Sequence, residues 1–167
     1  MCISSRKIPR KKPAAKKPRK AARSKRSAIT ESKQSRCERM QRDVEKVQEL
    51  YRGFDRRDLK SVLLLMAPEI EVFQSEELPW GGHYEGHEGV RKFLGALAEH
   101  LDSRVLVERL IDAGDRVVAV GRTVGKARKT QLEFDVPVVH VWTFSEGRIV
   151  RFEPYIENDT MLAALGI

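Results

Sequence analysis

LEFDVPVVHVWTFSEGRIVRFEPYIE, residues 132–157, alternates from one end to the other. Successive side chains of a strand point to opposite faces, so its even positions make one wall and its odd positions the other. Leu132, Phe134, Val136, Val138, His140, Trp142 and Phe144 form an apolar face, opposed by Glu133, Asp135, Pro137, Val139, Val141 and Thr143. After the turn signal SEG at 145–147 the division repeats, with Val150, Phe152, Pro154 and Ile156 against Arg151, Glu153, Tyr155 and Glu157. This is a β-hairpin with one apolar face, on which His140 is the only polar side chain of its strand. The odd face is mixed, partly apolar and partly charged, and suits pairing with another subunit.

Two more alternating segments precede the hairpin, divided by AGD at 113–115 and GKARK at 125–129. An antiparallel meander follows, with strands near 103–112, 115–126, 130–144 and 148–157. Ahead of it the period is helical. Met40, Val44, Val47, Tyr51 and Phe54 draw one stripe, and Asp58 caps a short second helix presenting Leu59, Val62, Leu63 and Met66 that Pro68 closes. PEIEVFQS at 68–75 reads as a strand with Ile70, Val72 and Gln74 on one face and Glu71 and Phe73 on the other. A loop with Pro79, Gly81 and Gly82 leads to a third helix near 88–101, striped by Val90, Phe93, Leu94, Leu97 and Leu101. NDTMLAALG at 158–166 is a short terminal helix. Helices before sheet make an α+β domain, the helices laid on one face of a strongly curved sheet.

The 167-residue length fits one domain and a tail. Residues 1–39 carry 15 Lys and Arg against Glu31 and Glu38; subtraction from the chain's 32 basic and 24 acidic residues leaves 17 and 22 for the rest. The basic character therefore belongs to residues 1–38, where Pro9, Pro13 and Pro18 and the scarcity of large apolar residues predict disorder, while residues 39–167 form a mildly acidic domain. Cys2 and Cys37 both lie in the tail, so no disulfide staples the core and nothing points to an oxidising compartment. The longest apolar runs are too short to span a bilayer, and no apolar stretch follows the basic start as a secretory signal requires. The expectation is a cytoplasmic protein without membrane attachment, with nucleoid association or targeting left to the tail.

YRGFDRRDLKSVLLLMAPEIEV (51–72), HYEGHEGVRKFL (83–94) and VHVWTFSEGRIVRFEPYIE (139–157) resemble, in that order, the first two helices and first strand, the third-helix entry and the last hairpin of the SnoaL-like branch of the nuclear-transport-factor-2-like, or ketosteroid isomerase-like, superfamily. The resemblance covers about residues 40–167. It implies a cone in which a curved antiparallel sheet wraps three helices around an apolar pocket, often as a homodimer through the outer sheet face. Its members include ketosteroid isomerases, polyketide cyclases and epoxide hydrolases, so the fold does not choose among activities. The isomerases' general-base Asp matches Gln74, which takes no proton from carbon, and their protonated oxyanion-hole Asp matches His140. Their helix-one Tyr matches Leu50, with Tyr51 one step around the helix. The cyclases' acid/base Asp falls nearest Asn158, between Glu157 and Asp159, and Arg122 is the nearest counterpart to the hydrolases' cation.

Read from the residues, His140 is either a pocket base or donor to a ligand carbonyl, or a core histidine satisfied within the fold. Gln74 either meets a ligand or makes a structural hydrogen bond. Tyr51, Trp80 and Trp142 offer flat apolar area with one polar handle each, for a ligand or for packing. Arg122 either binds an anion or pairs with an acid. His83, Glu85, His87 and Glu88 carry metal-ligating groups, but Gly82, Gly86 and Gly89 break the helix that H-x-x-x-H spacing needs, so a solvated turn and no metal is expected. Neither a phosphate loop nor a cofactor motif appears. Lys11, Lys12, Lys16, Lys17, Arg19, Lys20, Arg23, Lys25 and Arg26 read either as a sequence-independent nucleic-acid arm, as a localisation signal, as a solvated extension, or as translation assigned upstream of a start at Met40. The expected function is a small-molecule-binding domain, with isomerase- or cyclase-type proton transfer on a carbonyl substrate as its chemistry; the alternative is a non-enzymatic protein that binds nucleic acid through the tail.

Overall fold

The computed structural model describes residues 33–167. The basic tail, with Cys2 and the arm from Lys11 to Arg26, lies outside the described residues. Ten elements run α1 (Lys33–Asp55), α2 (Leu59–Leu64), β1 (Met66–Gln74), β2 (Gly82–Glu85), α3 (Gly86–His100), β3 (Leu101–Asp112), β4 (Arg116–Ala127), β5 (Glu133–Ser145), β6 (Arg148–Ile156) and α4 (Asn158–Leu165).

The six strands form one curved sheet ordered β2-β1-β6-β5-β4-β3. The meander from β3 to β6 is antiparallel throughout, as the turn signals require. β1 pairs with β6 in parallel, and β2, α3 and the strands β3 to β5 separate the two in the chain. β3 carries a bulge between Val107 and Arg109, near Gly121 on β4. A Cβ on Gly121 would stand 2.1 Å from the Leu106 carbonyl oxygen, so only glycine permits the close approach of the two strands where the bulge bends the sheet.

Three boundaries differ from expectation. α1 opens at Lys33, so residues 33–38, grouped by composition with the tail, are helical; Lys, Gln, Arg and Glu are good helix formers, and Gln34 contacts Glu38 one turn on. α2 ends at Leu64, and Met66 and Pro68 belong to β1. Proline is tolerated there because the pairing with β6 is irregular between Met66 and Glu71, so its missing N–H costs no ladder bond. The supposed loop before α3 contains β2, which pairs Gln74 with Gly82 and Phe73 with His83. Asp58 caps α2 as expected, its carboxylate accepting the Ser61 N–H at 3.1 Å.

The core fills the concave side. Val47, Leu50 and Tyr51 of α1, Val62 and Leu63 of α2, and Val90 and Phe93 of α3 meet Ile70, Val72, Val117, Val136, Trp142, Ile149 and Phe152 from the sheet. The even face of β5 is the inner face, as the alternation requires. On β4 the inner face is the odd one, Val117, Ala119, Gly121 and Thr123, which the apolar even positions disguise.

Candidate functional site

Between the helices and the inner face lies an open cleft of about 1240 Å³. Tyr51, Gln74, Trp80 and His140 all line it, together with Phe93, Phe152, Thr123 and Pro154. Each arrives there for a local reason. Tyr51 lies one helical turn after Val47 on the buried stripe of α1. Gln74 is the last residue of β1, in phase with Ile70 and Val72. His140 sits in mid-β5 between Ala119 on β4 and Pro154 on β6, whose side chains are too short to cover its ring. Pro154 itself lies beyond the last β1–β6 pair, Val72 with Phe152, where a missing N–H is harmless.

The polar groups at the floor form a chain. The Trp142 Nε1–H donates to Tyr51 Oη at 3.2 Å, and Tyr51 Oη lies 2.8 Å from His140 Nδ1. Burial pushes the His140 pKa down from 6.5 to about 4, so its imidazole is neutral at pH 7. Burial also raises the Tyr51 hydroxyl well above its ordinary value, only partly opposed by the Trp142 hydrogen bond. Gln74 is 8% exposed, and its side-chain nitrogen is buried without a partner. Every charged residue lining the cleft is exposed, among them Arg57 and Asp102, paired at 3.7 Å, and Lys126 and Glu133, paired at 3.9 Å. A neutral, partly unsatisfied polar floor therefore lies beneath a balanced charged rim.

Three expected contacts fall elsewhere. Trp142 is fully buried and stacks on Phe152 with ring centroids 3.8 Å apart, so Phe152 forms the wall and Trp142 acts on the cleft through Tyr51. Arg122 stands on the outer face in an ion pair with Asp135, because β4 turns its odd residues inward. Asn158 opens α4 and donates to Ser75 Oγ at 2.9 Å and to the Glu77 carboxylate, tying the helix to the loop after β1 rather than facing the cleft. Thr123 and Phe152 were missed as lining residues: the alternation of β6 already placed Phe152 inward, whereas the apolar even face of β4 hid Thr123.

On the outer face Glu71, His83 and Glu85 offer one ligand atom each within 4.8 Å of one another. His83 lies 3.6 Å from Glu71 and 3.8 Å from Glu85 and stacks on Phe73 at 4.1 Å. This solvent-facing cluster of two carboxylates and an imidazole sits on β1 and β2, apart from the cleft.

The SnoaL-like domain family matches residues 47–152. Among solved structures, an NTF2-like protein from Burkholderia thailandensis is 32% identical over 74% of this chain and 96% of its own, with a TM-score of 0.69. An NTF2-like protein of unknown function from Burkholderia pseudomallei is 29% identical over 75% and 98%, with a TM-score of 0.71. TerC, co-crystallised with polyporic acid, is 26% identical over 75% and 99%, with a TM-score of 0.70. No curated protein sequence matches the chain. The matched span, the curved sheet and the helices packed on it place this chain in the SnoaL-like family.

Proposed function

We propose that the chain binds a small, flat, mostly apolar molecule bearing a carbonyl-type oxygen, with Gln74 and His140 as its polar contacts. The observation that carries this reading is the buried Gln74 amide nitrogen without a partner in an apolar cleft. A buried unsatisfied donor costs about 1–3 kcal/mol, and a ligand oxygen would recover it. Trp80, Phe93 and Phe152 supply flat apolar area around that point. TerC, with its bound polyporic acid, supports a ligand of this kind. Where chemistry follows binding, the reading is isomerase- or cyclase-type proton transfer in which His140 stabilises a developing oxyanion; its low pKa makes it a poor base at neutral pH.

The test is a thermal-shift screen of flat aromatic ketones against the wild type and His140→Ala. Ketones should raise the wild-type melting temperature and raise that of the variant less. A library that stabilises neither, or both equally, contradicts the reading.

A homodimer through the outer sheet face belongs to the same proposal. Leu106, Ile111, Val139 and Tyr155 are exposed there, and Tyr155 keeps 56% of its surface open. Non-specific nucleic-acid binding by the arm at Lys11 to Arg26 remains the second reading, resting on charge alone.

A further inference from the structure

We propose that Tyr51 sets which ligands the cleft accepts: held by Trp142, it keeps His140 in the tautomer that presents an N–H, so that with the Gln74 amide the floor selects ligands carrying an acceptor oxygen over equally flat ligands carrying a donor. This rests on the binding function proposed above and goes beyond it, from a general preference for carbonyls to the residue that enforces it.

The assignment follows from hydrogen bookkeeping at one oxygen. An indole N–H can only donate, and the Trp142 Nε1–H does so to Tyr51 Oη. That leaves the phenolic hydrogen and His140 Nδ1, 2.8 Å away. Were Nδ1 protonated, two N–H groups would converge on Tyr51 Oη while the hydroxyl's own hydrogen lost its acceptor in a buried site. The satisfied arrangement runs Trp142 N–H to Tyr51 O–H to His140 Nδ1, and it places the imidazole hydrogen on Nε2. With Nδ1 turned to Tyr51, Nε2–H is the polar group that the ring has left for the cleft it lines. Each bond in such a chain polarises the next, which strengthens the terminal donor.

Gln74 contributes a second unpartnered N–H group. Thr123 is the one further buried polar residue among the described lining, and every carboxylate there is exposed at the rim. An acceptor oxygen at the floor finds the His140 Nε2–H and, with the Gln74 amide turned toward it, a second donor; an N–H placed there meets the imidazole N–H and is left with the Gln74 carbonyl oxygen and the Thr123 hydroxyl as acceptors.

Three tricyclic probes of nearly one shape separate the possibilities at neutral pH: 9-fluorenone with an acceptor oxygen, carbazole with an N–H, and fluorene with neither. In the wild type, ¹⁵N spectra should show His140 protonated at Nε2, and 9-fluorenone should bind at least about tenfold more tightly than carbazole. Tyr51→Phe keeps the ring but frees the imidazole, so the spectra should show mixed tautomers and the preference should fall to about twofold or less. Should that variant fail to fold, Gln74→Leu removes one donor while leaving the Tyr51–His140 bond, and should cut the preference severalfold with the tautomer unchanged. Protonation at Nδ1 in the wild type, carbazole binding as tightly as fluorenone, or a preference that survives both substitutions overturns the proposal. If the tautomer is as stated but none of the probes binds, the small-molecule function itself fails and takes the selectivity with it.

Discussion

Two polar pairs sit on opposite faces of the same sheet, and their surroundings give them different weight. Tyr51 and His140 meet on the inner face, Tyr51 at 8% and His140 at 9% exposure, with Trp142 behind them. Arg122 and Asp135 meet on the outer face, with side chains 38% and 59% exposed. The outer pair carries full charges, yet water and salt screen them and the pair is worth about 0–1 kcal/mol. The inner pair is uncharged, but its groups have no solvent to fall back on, so each depends on its partner. Formal charge is therefore a poor guide to which polar residues of this protein matter; burial without redundancy is a better one.

The largest expected effect comes from removing the support of the inner pair. Trp142→Ala deletes a fully buried indole stacked on Phe152 and should cost about 3–5 kcal/mol in urea unfolding. A loss under about 1 kcal/mol would show that the inner face is less tightly packed than its geometry implies.

The second effect is a pH slope. The folded-state pKa of His140, about 4, lies below the 6.5 of the free imidazole, so between these values the unfolded chain binds the extra proton. Stability from this residue is full above pH 6.5 and is lost as pH falls toward 4, by up to about 3 kcal/mol. Denaturation curves at stepped pH should show that slope in the wild type and lack it in His140→Gln; equal slopes would contradict the burial of the imidazole.

The smallest effect belongs to the outer pair. Arg122→Ala should change stability by no more than about 1 kcal/mol and leave ligand-induced melting shifts untouched. A lost ligand response would return Arg122 to the site from which its strand phase removes it.

The comparison also explains what could be read in advance. The inner face of β5, and of β6 from Phe152 on, was legible from strand alternation, and His140 stood out as the polar exception on an apolar wall; the bulge at Thr143 and Phe144 breaks the phase before Arg151, so Ile149 and not the expected Val150 is buried. The stripe of α1 likewise turned Tyr51 inward. Its partner could not be read, because helix phase names a face and not the residue 89 positions away that meets it. Alternation also says nothing of depth, so Trp142 looked like lining although it is fully buried, stacked on its cross-strand neighbour Phe152. β4 could not be phased because both its faces are apolar, and the bulge and Gly121 that bend the sheet leave no periodic trace. β2 was too short to declare itself between glycines.

The central claim is that the Gln74 amide serves a ligand rather than the fold, and Gln74→Leu tests it most directly. Leucine removes the buried unpartnered nitrogen, so unfolding free energy should stay level or rise by up to about 1 kcal/mol while 9-fluorenone affinity falls several-fold. A variant that loses about 1–3 kcal/mol of stability and binds the ketone as well as the wild type does would show that Gln74 holds the structure together and leave the cleft without its proposed purpose.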